Sequence, residues 1–140
     1  MNPNRTLTIT SLIMITLVMA HLAQDIAYGY EPGNISNLIA VPIAVVWLCG
    51  TLMLAGRRSG YIIILLFSLF SLVVPLVHSQ GKGFGLASRM AYTSGHFFFV
   101  LSLLAIGVLG IFSVVLCAHG LWSLPWRRRA QERQSDTVRN

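Results

Sequence analysis

Charge is what this chain has least of. Of its 140 residues, 10% are Asp, Glu, Lys or Arg, while 55% are hydrophobic. A soluble domain of ordinary composition carries about 25% charged residues. So few charges cannot cover a water-facing surface, and the mean hydropathy of +0.72 agrees. A soluble enzyme, a disordered acidic tail and a coiled coil are disfavoured together. Acidic groups are scarcest, four against ten basic ones, for a net charge of +6.

Other signals are missing too. There are two cysteines, Cys49 and Cys117, and no CxxC. Both lie in apolar stretches, which argues against a structural disulfide and for small core side chains. Runs such as YIIILLFSLFSLVVPLV show no polar face recurring every 3.6 residues, as soluble bundle helices do. They show no alternation of a transmembrane barrel strand either. The glycine-rich stretch around Lys82 does not follow the phosphate-loop pattern.

What is present is four apolar runs, at about 7–30, 38–55, 61–78 and 96–122. Each approaches or exceeds the roughly 20 residues that cross a bilayer as a helix. The expected fold is all-α: an integral membrane four-helix transmembrane bundle over 1–126, with short loops and antiparallel neighbours. Residues 127–140 contain no apolar run and read as a basic, mobile tail.

The basic residues orient the bundle. Arg5, Arg57, Arg58, Arg127, Arg128, Arg129, Arg133 and Arg139 fall on one side of four crossings, and only Lys82 and Arg89 on the other. The positive-inside rule then puts both termini in the cytoplasm, in a bacterial-type inner membrane. Trp122, Trp126 and His119 suit the interface on that side. Arg127, Arg128 and Arg129 can hold anionic lipid headgroups. Lipid is therefore the first expected partner. A membrane-complex subunit or a second copy fits a small polytopic chain. Nucleic acid does not, since no soluble basic domain exists to bind it. Pro42 and Pro75 each remove a backbone donor, as ordinary membrane-helix prolines or as kinks opening the outer half.

Val18-Met19-Ala20 offers one alternative. Small residues at −3 and −1 resemble a signal-peptide cut after Ala20, which would leave His21 as an amino terminus able to chelate copper. Apolar character continues through Ala27, so an uncleaved span is simpler.

Of the charged residues only Asp25 falls inside a span, where an ionised group is costly and usually functional. His21 precedes it by four residues, on the same helical face. His78 ends the third span and His96 opens the fourth, both at the same outer level. Gln24, Tyr28, Tyr30, Glu31 and Tyr92 lie at similar depth or just above. A charged hydrogen bond or polar clamp between helices would also account for His21 and Asp25.

Three chemistries fit. The first is a transition-metal site (Cu, Zn or Fe) of His21, Asp25, His78 and His96, or haem b between His21 and either of the other histidines, as in a redox, respiratory or photosynthetic component. The second is His/Asp acid–base catalysis on a lipid or apolar substrate. The third is proton-coupled transport through Asp25, or an accessory subunit without chemistry of its own.

Overall fold

The computed structural model describes residues 3–29, 31–79 and 94–139, with side chains over 3–29, 31–78 and 97–124. Among the described residues all regular structure is helical. Helix α1 spans Pro3–Ala27, a 3-10 turn spans Ile35–Ile39, α2 spans Ala40–Leu52, α3 spans Arg58–Ser79 and α4 spans Ser94–Arg139. Four helical segments are long and apolar enough to cross a membrane: Pro3–Ala27, Ile35–Leu52, Arg58–His78 and Phe97–Leu124.

The helix ends follow local chemistry. Pro3 opens α1, where its missing N–H costs nothing. Gly29 closes that helix at φ +74°, a backbone region that suits glycine. Across this turn the Glu31 N–H donates to the Asp25 carbonyl at 3.2 Å. So α1 stops near Ala27 rather than at 30. The Asn34 side chain caps the 3-10 turn by accepting from the Ser36 N–H at 2.9 Å. Pro42 is the third residue of α2, just past the junction with the 3-10 turn at Ile35–Ile39. Pro75 lies inside α3, one turn before His78. The last helix runs on through the arginine run to Arg139. Arg, Ala, Gln and Glu are good helix formers, so lack of an apolar run does not end a helix there.

Packing contacts run in a ring, α1 to α2 to α3 to α4 and back to α1. Asn4 meets Tyr61 at one end through a hydrogen bond, and Asp25 faces His78 at the other. Helices α1 and α3 are therefore parallel, with α2 and α4 antiparallel to them. The interior reads at spacings of three and four. On α3 it is Tyr61, Ile64, Ser68 and Ser71; on α4 it is Phe99, Ser102, Ile106, Ser113 and Cys117. This is the seam of a left-handed bundle. Small hydroxyl residues let the helices approach and bond across. The Ser68 hydroxyl donates to that of Ser113 at 2.8 Å. A Cβ on Gly120 would run into the Tyr61 ring.

A second polar knot ties α1 to α2. The Trp47 indole N–H donates to Ser11 Oγ at 2.9 Å, and Thr51 donates to the Trp47 carbonyl at 2.9 Å. Thr51 has thus used its proton, so Ser11 donates to Thr51 at 2.7 Å. Ser11→Ala should cost about 1 kcal/mol, the usual size of an interhelical hydrogen bond in apolar surroundings. Thr16→Ala, at an exposed position of the same helix, should cost no more than about 0.5 kcal/mol. Detergent-induced unfolding followed by helicity would separate the two; equal costs would show that the knot adds nothing.

The cysteines stay apart in role. Cys117 is buried, Cys49 is exposed, and both are free. Tyr30, Lys82, Arg89 and Tyr92 lie outside the described residues, as do the side chains of Trp126, Arg127, Arg128 and Arg129.

Candidate functional site

Three helix ends meet above the serine seam. Helix α1 brings His21, Gln24 and Asp25, α3 brings His78, and α4 brings Phe99 and Ser102. His21 is 2% exposed and Asp25 14%, so both stand inside the bundle. Their i, i+4 spacing puts them on one face, with His21 Nε2 3.8 Å from Asp25 Oδ2. His78 Nε2 lies 3.5 Å from Asp25 Oδ1. Three of the four ligands expected from sequence thus converge. One donor atom from each lies within 4.8 Å of the others. The backbone of His96 is in the first turn of α4, three residues before Phe99; its side chain lies outside the described residues.

The outer nitrogens of both imidazoles are held. His78 Nδ1 lies 2.9 Å from the Val74 carbonyl. A carbonyl only accepts, so Nδ1 carries a proton, and in the neutral ring Nε2 presents a lone pair. His21 Nδ1 lies 2.9 Å from Ser102 Oγ. The Ser102 hydroxyl donates to the Phe99 carbonyl at 2.8 Å or the Gln24 side-chain oxygen at 3.2 Å. With that proton so used, the Ser102 oxygen accepts from His21 Nδ1–H, and in the neutral ring this bares the second Nε2. Such back-bonding of the remote nitrogen is how metal-bound histidines are oriented. The Phe99 ring, fully buried, packs on both imidazoles at 4.8 and 5.5 Å and closes the site from α4.

With both rings neutral the inward-facing atoms are all acceptors, two nitrogen lone pairs and a carboxylate; a proton on either ring makes its contact with Asp25 an ion pair. His21 Nε2 and Asp25 Oδ1 are buried and have no hydrogen-bond partner. The separations of 3.5 and 3.8 Å exceed the roughly 2.7–2.9 Å of charge-assisted hydrogen bonds. They lie close to the edge of a tetrahedron around zinc, about 3.4 Å for bonds near 2.1 Å. With all three ligand atoms within 4.8 Å of one another, the arrangement has the span to surround a cation.

Haem between His21 and His78 does not fit. Their rings touch edge to face, with centroids 5.1 Å apart and Phe99 against both. No slot for a macrocycle separates them. Residues 3–20 pack into the bundle, with Leu7, Met14 and Ile15 in its core. Tyr28 and Glu31 are exposed above the cluster, and His119 is exposed on α4.

Sequence reasoning missed Ser102, Phe99 and the Val74 carbonyl. Ser102 is one of several serines at helical spacing, so only its place opposite His21 sets it apart. No family model, no curated protein and no solved structure matches the chain.

Proposed function

We propose that this chain is a four-span membrane protein that binds one divalent transition metal through His21, Asp25 and His78. The observation that carries the reading is the acceptor-only cluster, with spacings too long for hydrogen bonds and suited to a tetrahedral ion. Two neutral imidazoles and one carboxylate match zinc and iron(II). Copper(II) prefers a square-planar arrangement, which three ligands from two helix ends do not supply. Three protein ligands leave a coordination position open, the mark of a site that handles a ligand rather than a structural staple. His96, one turn before Phe99, is the alternative occupant of that fourth position, and its variant below tells the two cases apart. The basic residues favour both termini on the cytoplasmic side of an inner membrane, with the metal toward the opposite face and Arg127, Arg128 and Arg129 at anionic headgroups.

Elemental analysis of the purified protein after zinc or anaerobic iron(II) loading tests this. One tightly held ion per chain is expected. His21→Ala should abolish it while helicity is kept, and His96→Ala should weaken it only if that side chain coordinates. A wild-type protein that holds no metal after loading with either ion and desalting ends the proposal.

A further inference from the structure

Between α1, α2 and α3 lies a cavity of about 140 Å³. Its walls are apolar, including Val18 and Leu22 of α1, Ala44 and Trp47 of α2, and Phe70 and Val74 of α3. The volume is about that of a dry cavity that takes one benzene ring. It admits a short stretch of hydrocarbon chain and excludes a sterol or porphyrin.

The lining stops one helical turn short of His21, Asp25 and His78 and includes none of them, but the helical register sets the two on neighbouring turns. On α1, Asp25 follows Leu22 by three residues. On α3, His78 follows Val74 by four. Residues so spaced lie one above the other on a helix face. The carbonyl of Val74 is also the group that fixes the His78 tautomer. At the other side the rim is open to the bundle's exterior, where Phe70 is 70% and Ile43 40% exposed. In a bilayer that exterior is acyl chain. A divalent ion held by two neutral imidazoles and the Asp25 carboxylate keeps one net positive charge. In surroundings of low dielectric that charge selects an anionic head.

From the cavity, its register and this charge we infer that the ligand of the open metal position is a long-chain fatty acid. Its carboxylate coordinates the ion, the first part of its chain threads the cavity, and the remainder leaves between Phe70 and Ile43 into the lipid. The inference rests on the metal site proposed above and names what that site takes.

Trp47 lines the cavity and serves as the reporter, since only three tryptophans are present. In a Trp122→Phe/Trp126→Phe protein reconstituted in dioleoylphosphatidylcholine vesicles, 9,10-dibromostearate should quench Trp47 saturably, near one equivalent. Stripping zinc with EDTA should weaken the apparent affinity by about tenfold or more, the loss of a charged contact. Dibromostearyl alcohol, without the carboxylate, should bind weakly and ignore EDTA. Ala44→Leu should remove the saturable phase with zinc retained. Ala40→Leu fills the same cavity and serves if the first variant does not fold. Zinc-loaded protein that shows only linear quenching, unchanged by either filling variant, overturns the fatty-acid inference and leaves the metal site standing. Protein that takes up no zinc overturns the metal site itself.

Discussion

Asp25→Asn is expected to abolish tight metal binding and, at the same time, to raise the stability of the metal-free protein by about 1–3 kcal/mol. The two signs come from one arrangement. With metal bound, the carboxylate supplies both a bond and the charge that neutralises part of the ion, and an amide replaces neither. Without metal and with both rings neutral, the carboxylate faces two imidazole lone pairs, and its Oδ1 has no hydrogen-bond partner. An amide removes that buried charge and offers an N–H to His78 Nε2. A group that improves the fold when removed is one kept for another purpose. Zinc content by elemental analysis and thermal unfolding in EDTA give the two readings. If Asp25→Asn destabilised the metal-free protein, Asp25 would be a structural clamp between α1 and α3, and the metal proposal would lose its main support.

Gly60→Ala is expected to cost about 3 kcal/mol or more, at or beyond the upper end for overpacking. Gly60 stands in the first turn of α3, just after the reversal from α2 that Gly56 makes at φ +74°. A Cβ there would collide with the Leu54 carbonyl and lie 3.0 Å from the Gly50 carbonyl. Both obstacles are backbone, so no rotamer change relieves them. The α2–α3 turn would have to open, and the cavity wall formed by α2 would move with it. Gly107→Ala is the contrasting case. Its Cβ would meet Pro75 at an ordinary 3.7 Å, so it should be neutral or slightly stabilising through helix propensity. Unfolding in a denaturing detergent, read by helicity, should separate the two variants clearly. A Gly60→Ala protein as stable as Gly107→Ala would show that the turn yields cheaply.

The four helical segments were legible because apolar runs of such length have few other uses. Their ends were less so. Gly29 turns the chain left-handed before Tyr30, and α4 continues past the interface because helix propensity does not depend on hydropathy. Which faces point inward could not be read from hydrophobicity, since both the interior and a lipid surround are apolar. The interior is instead marked by small and hydroxyl residues, such as Ser68, Ser71 and Ser113, at spacings of three and four. Within the site, the His21–Asp25 pair was legible from spacing, and His78 from its depth. Ser102 and Phe99 were not. Each belongs to a residue type common throughout these helices, and only the crossing of α4 over α1 and α3 selects them.

The short second helix bears on the membrane itself. With 13 residues, α2 is about 20 Å long. The five residues of the 3-10 turn rise faster and add about 10 Å. Together they just match a hydrocarbon layer of about 30 Å. Three outward side chains of the turn are apolar, with Ile35 86%, Leu38 63% and Ile39 68% exposed. Helix α1, at 25 residues, has length to spare and can tilt. The corner at α2 has none. A thicker bilayer would draw Asn34 and Asn37 into the acyl region or thin around that corner, which is also one wall of the cavity. In a bilayer the hydrophobic match at α2 would set the thickness in which this protein is most at ease, and would couple that thickness to the shape of its cavity.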